Sequence, residues 1–142
     1  MSFEIIFLIN TFSTFFMTGL IWYVQLVHYP SFHFVNKDMF SEFHAHHSLK
    51  TGFIVMPVMS LELATSGALA WNSGWLTLNA LGFYIVILIW LSTLFFSVPK
   101  HNALTHGKVD SLISGLVKTN WFRTLLWSIK SGLSFWILVN YL

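Results

Sequence analysis

The chain has 142 residues, of which 56% are hydrophobic and only 8% charged. Its mean hydropathy is +0.70. Roughly a quarter of residues are charged in an ordinary soluble domain, so there is too little polar surface here to cover one. A net charge of +2, scattered along the chain, is too small to suggest nucleic-acid binding, and the lack of cysteine excludes disulfides, thiolate metal sites and a cysteine nucleophile. What remains is a membrane protein. Its expected partners are lipid, a small apolar molecule, and a second copy or a larger membrane complex.

Four runs are long enough to cross about 30 Å of hydrocarbon at about 1.5 Å per residue. The first, Phe3 to His28, lacks the basic start and small-residue cleavage site of a signal peptide and reads as a retained span closed by Pro30. A connection follows that contains "EFHAHHSLK", with His44, His46 and His47 within four positions. A short interfacial helix from about Asn36 to Lys50 would put His44 and His47 on one face, near Phe40 and Phe43. The second span, Phe53 to Trp71, turns at "NSG" (Asn72 to Gly74) into the third, Trp75 to Val98, which Pro99 closes. A second connection leads to the fourth span, Trp121 to Leu142. The expected fold is all-α: a single domain over 1–142, a four-helix transmembrane bundle with short interfacial helices in the two longer connections.

The basic residues set the expected orientation. Lys37 and Lys50 lie in the first connection and Lys100, Lys108 and Lys118 in the second, with Arg123 just inside the last span. Neither the N-terminus nor the Trp71 to Trp75 turn carries a basic residue. The positive-inside rule therefore places both connections in the cytoplasm and both termini outside a bacterial inner membrane. All seven histidines (28, 33, 44, 46, 47, 101 and 106) lie in or beside those connections, at one end of the bundle.

Helical phase gives each span one polar stripe. Thr11, Thr14, Thr18, Gln25 and His28 share a face in the first span, Glu62, Thr65 and Ser66 in the second, Trp90, Thr93 and Ser97 in the third, and Arg123, Trp127, Lys130 and Ser134 in the fourth. Lipid disfavours such stripes, so they should face one another. Glu62 sits about 14 Å into its span, and a carboxylate there costs about 2.5 kcal/mol or more unless paired, protonated or metal-bound. Lys130, at comparable depth, and Arg123 are the candidate ion-pair partners. An intramembrane acid is also a functional candidate, so Glu62 and Arg123 are the candidate catalytic residues.

His28, His44, His47 and His101, with Glu62 below them, form the candidate metal set. Neutral imidazoles and a carboxylate suit zinc, iron, manganese or copper, and the imidazoles suit haem. Gln25, Trp90, Asn102, Trp121, Trp127 and Lys130 complete the expected pocket or ion-pair set. There is no HExxH, Walker loop, GxGxxG or nucleophile elbow, which argues against zincin, nucleotide-dependent or soluble hydrolase chemistry.

The elements "HYPSF" (His28 to Phe32), "PVMSLEL" (Pro57 to Leu63), "IWLSTLFFSVPKHNAL" (Ile89 to Leu104) and "NWFRTLLWSIKS" (Asn120 to Ser131) resemble those of an uncharacterised family of small four-span bacterial integral membrane proteins. A proline at a span end, then a polar residue and leucine, with a tryptophan–arginine pair opening the last helix, is more distantly similar to the anthrone-oxygenase-like family. That likeness implies cofactor-poor oxygenation of an aromatic polyketide-like substrate in a membrane pocket, with Trp121 and Arg123 at the matching positions. The His-rich first connection and "PKHN" depart from that pattern and shift the weight toward a metal or another small apolar molecule. Two readings follow: a metal- or haem-dependent membrane oxidoreductase or oxygenase, and a non-enzymatic accessory subunit or small proton-coupled transporter.

Overall fold

A computed structural model describes residues 2–141. Four long helices account for nearly all of them: α1 (Phe3–Phe34), α2 (Lys37–Ser73), α3 (Leu78–Leu104) and α4 (Asp110–Tyr141). Among the described residues there is no strand. The first three helices are long and apolar enough to cross a membrane. Each helix packs on its neighbour in sequence, and α4 closes the ring against α1. This antiparallel order puts the α1–α2 and α3–α4 connections at one end and the α2–α3 turn at the other. The two connections are tied together by Lys108, whose Nζ donates to the carbonyls of His33 (2.6 Å) and Val35 (2.9 Å).

The outer face is apolar. Phe12, Phe53, Phe95, Leu125, Ile129 and Trp136 are all exposed, whereas Asn10, Thr14, Gln25, Glu62, Arg123 and Lys130 are buried. Water would reverse that distribution; hydrocarbon on the outside accounts for it. Apolar packing fills the spaces between the polar groups, with Met17, Ile21, Phe32, Phe40, Met59, Ile89 and Trp127 in one continuous cluster.

Both prolines expected to end helices lie inside them instead. A proline ring clashes with the carbonyl four residues back, which belongs to Leu26 for Pro30 and to Phe95 for Pro99. Each of those residues lies in a wide π turn, Val24–His28 and Thr93–Ser97 respectively. The wider turn relieves the clash and lets the helix continue. Nor is there a separate interfacial helix at Asn36 to Lys50: Lys37–Ser73 is one unbroken helix that carries Pro57 within it. The chain breaks between α1 and α2 in extended backbone at Val35 and Asn36, and at the other two connections it passes through Gly74 (φ +95°) and Gly107 (φ +134°), conformations that favour glycine.

Candidate functional site

The inward-facing polar groups form two centres rather than one. In the middle of the bundle, Glu62 (1% exposed) meets Lys130 (1% exposed), with Nζ 2.9 Å from Oε1. Thr14 Oγ1 donates to the same carboxylate oxygen at 2.8 Å, and Trp127 Nε1 donates to Oε2 at 3.0 Å. Lys130 also donates to Thr14 Oγ1 and Asn10 Oδ1, and the Asn10 amide turns to Thr65 and Ser66 on α2. Each charged group has its opposite charge and its hydrogen bonds, as burial in low dielectric requires. Three helices are thereby tied at one level, and Lys130 rather than Arg123 is the partner of the acid.

The second centre lies about 22 Å further along α2, the rise of the fifteen residues between His47 and Glu62. Here His28 from α1, His44 and His47 from α2 and His101 from α3 converge. His28 Nε2 is 2.6 Å from His47 Nδ1, and His44 Nε2 is 3.0 Å from His101 Nδ1. The rings of His44 and His101 stack with centroids 5.3 Å apart, and those of His47 and His101 at 5.6 Å. The i, i+3 spacing of His44 and His47 is what presents both from one helix face. Glu62 is remote from this cluster and does not join the imidazoles as the sequence had placed it. The other histidines lie elsewhere: His33 pairs with Asp110 at 3.1 Å, and His46 and His106 are exposed.

Two further residues of the cluster were not singled out from the sequence. Tyr29 OH lies 3.0 Å from His101 Nε2, and Thr51 Oγ1 lies 3.0 Å from His47 Nδ1. Thr51 follows His47 by one helical turn, a spacing visible in the sequence. Tyr29 adjoins His28, and both reach the cluster from the end of the π turn, an irregularity that ordinary helical phase does not foresee. His44 Nδ1, fully buried, has no hydrogen-bond partner among the described residues. If His101 donates to His44, Nδ1 of His44 is an N–H without an acceptor; if His44 donates, it is a bare lone pair.

A cavity of about 220 Å³ opens beside the cluster, lined by His47, Tyr29 and His101 at one side and by Leu20, Ile21, Val24, Val55 and Met56 along its walls. Arg123 reaches it from α4, Asn102 and Ser97 from α3. The remaining expected pocket residues lie apart from it. Gln25 is held by Val117, Asn120 and Thr124 in an internal network. Trp90 packs against the apolar core with its indole N–H buried and unpartnered. Trp121 is 40% exposed, edge-on to Trp22 at 5.7 Å, and lines a separate shallow depression with Pro30 and Lys118. Trp127 joins the two centres, accepting the Arg123 guanidinium over its ring at 5.7 Å while its N–H binds Glu62.

The ring nitrogens of the cluster stand in pairs, and among the described residues no group of three or more His, Asp or Glu side chains is arranged to hold a metal ion. At 2.6 Å and 3.0 Å the two pairs stand at hydrogen-bond distance. The chemistry of the donors, neutral imidazoles with a phenol alongside, is that of a borderline transition metal. No family model, no curated protein and no solved structure matches this chain.

Proposed function

We propose that this chain is a four-span protein of a bacterial inner membrane, with its lysine-rich end in the cytoplasm, and that the histidine cluster holds a transition metal used, with dioxygen as the oxidant, to oxidise or oxygenate a small apolar molecule in the adjoining cavity. The fourth span is supported by α4, which packs along both α1 and α3 while turning Phe122, Leu125, Ile129 and Trp136 outward. Orientation rests on the lysines of the two connections.

One observation carries the catalytic reading: four imidazoles from three helices gather beside an apolar cavity with an orphaned nitrogen at His44. Burying imidazoles without acids to pair them gives little packing benefit, whereas a cation at the shared lone pairs satisfies several at once. His28 and His47, and His44 and His101, would be the ligands, with small ring rotations bringing the pairs together. A bound iron, copper or manganese ion would supply one-electron redox chemistry at the cavity. The chain's part is to hold the imidazole tautomers through Tyr29 and Thr51, and to keep water out with the apolar walls.

A second reading is favoured by the Tyr29–His101–His44 hydrogen bonds, which have the form of a proton relay in a non-enzymatic carrier or complex subunit. That chain ends at His44 Nδ1, which passes the proton to nothing. Elemental analysis of detergent-purified protein, after incubation with iron, copper, manganese or zinc, tests the choice. Near-stoichiometric metal that is lost in His44→Ala and His47→Ala supports the redox centre. Protein that takes up none of the four metals, and melts at the same temperature with or without them, overturns it.

A further inference from the structure

Among the described residues the buried acids, lysines and arginines are Glu62, Lys130 and Arg123; Glu62 is matched by Lys130, which leaves Arg123, only 6% exposed, as one excess positive charge. Among the described residues the ion pairs join His33 and Lys108 to Asp110 and Lys130 to Glu62; none includes Arg123. Among the described residues its one hydrogen bond runs from Nη1 to Ser97 Oγ, and its buried Nε has no partner. The guanidinium has five N–H donors and cannot shed its proton. The titratable groups around it on the cavity side, His47, His101 and Tyr29, are neutral or cationic in any ordinary state, and Glu62, at the edge of the Trp127 ring where Nε1 donates to it, is already paired with Lys130. A lone cation in so dry a setting is strongly disfavoured, yet this one reaches an apolar cavity.

We propose that the cavity binds an apolar molecule bearing a singly charged anionic head, held on Arg123, with a chain carboxylate as the simplest member of the class. The fork of the guanidinium matches two carboxylate oxygens. Ser48, whose hydroxyl is buried and unpartnered beside the cavity, and Asn102 add neutral polar contacts, while Leu20, Val55 and Met56 accommodate the chain. With no metal bound, a single excess charge selects a monoanion; a doubly charged phosphate monoester would bring an unmatched charge into the bundle. The proposal takes the cavity as the substrate's place and so rests on that part of the function proposed above, but it needs no metal. A free carboxylate and the phosphodiester of an anionic lipid share this chemistry.

Calorimetric titration of the full chain, delipidated in an uncharged detergent and treated with chelator, tests the proposal. Octanoate should bind at least about tenfold more tightly than octanol, the yield of one charge-assisted hydrogen-bond pair, and octylamine should bind no better than the alcohol. Arg123→Gln should erase the preference for the acid, and Arg123→Lys should retain part of it. In Gly52→Leu, where a Cβ meets nothing within 4 Å at the cavity wall, the added side chain should block octanoate while the melting temperature holds, which keeps the test valid if Arg123→Gln fails to fold. Phosphatidylglycerol that competes with octanoate in an Arg123-dependent way identifies the lipid headgroup as the natural source; no competition identifies a free carboxylate. Equal binding of octanoate and octanol, or an unchanged acid preference in Arg123→Gln, overturns the proposal. Acid binding that persists in metal-free protein separates its fate from that of the metal centre.

Discussion

The two polar centres solve the same problem in opposite ways. Around Glu62 every charge has a partner, and three helices contribute the hydroxyls, amide and indole that complete the network. Around His47 the groups are imidazoles without an acid, a nitrogen and a hydroxyl are left unpaired, and a cavity adjoins them. Saturated polar networks in hydrocarbon act as joints between helices; unsaturated ones beside open space are where a ligand gains most from binding. The contrast puts the saturated joint in the bundle's middle and, under the function proposed above, the chemistry at its lysine-rich end, which reverses the weight that an intramembrane acid invites.

Substitutions can break that division of labour. The largest effect should come from Lys130→Met, which leaves Glu62 buried and unmatched: a loss of about 3–5 kcal/mol in reversible denaturant unfolding is expected, much of it restored when Glu62→Gln is added. Trp127→Phe removes one hydrogen bond to the carboxylate and should cost about 1.5–3 kcal/mol. A smaller change would place the indole with the histidine centre rather than the joint. In chelator-treated protein His47→Ala should cost about 1–3 kcal/mol through the partners it abandons. The same variant should abolish any rise in melting temperature on adding metal, and a rise that survives would move the metal away from this cluster. Least of all, Asp110→Asn should shift stability by less than about 1 kcal/mol, because the Asp110 side chain that meets His33 and Lys108 is itself 65% exposed to solvent.

Much of this is legible in the residues. Helical spacing alone groups Thr14 with Gln25, Glu62 with Thr65, and Arg123 with Lys130, and all six are buried. The i, i+3 spacing of His44 and His47 likewise puts both on an inward face. What spacing leaves open is which stripe meets which. Glu62 had two basic candidates, and packing settled on Lys130; the imidazoles and Glu62 looked like one site but are separated by four turns of α2. Trp121, matched by family resemblance, lies on the exterior, while Tyr29 and Thr51 enter the cluster unannounced.

By itself the sequence determined that the chain is helical, apolar outside and polar within, because composition and a period near 3.6 act residue by residue and need no knowledge of neighbours. It also brought the histidines to one end, since alternating helix direction follows from chain connectivity. Only the tertiary structure decided that Arg123 has no counter-ion among the described residues, that a cavity lies beside it, and that Pro30 and Pro99 sit within helices behind π turns. Those outcomes depend on the rotation and depth of each helix against the others. Side-chain packing sets these to within an ångström, and one-dimensional periodicity cannot.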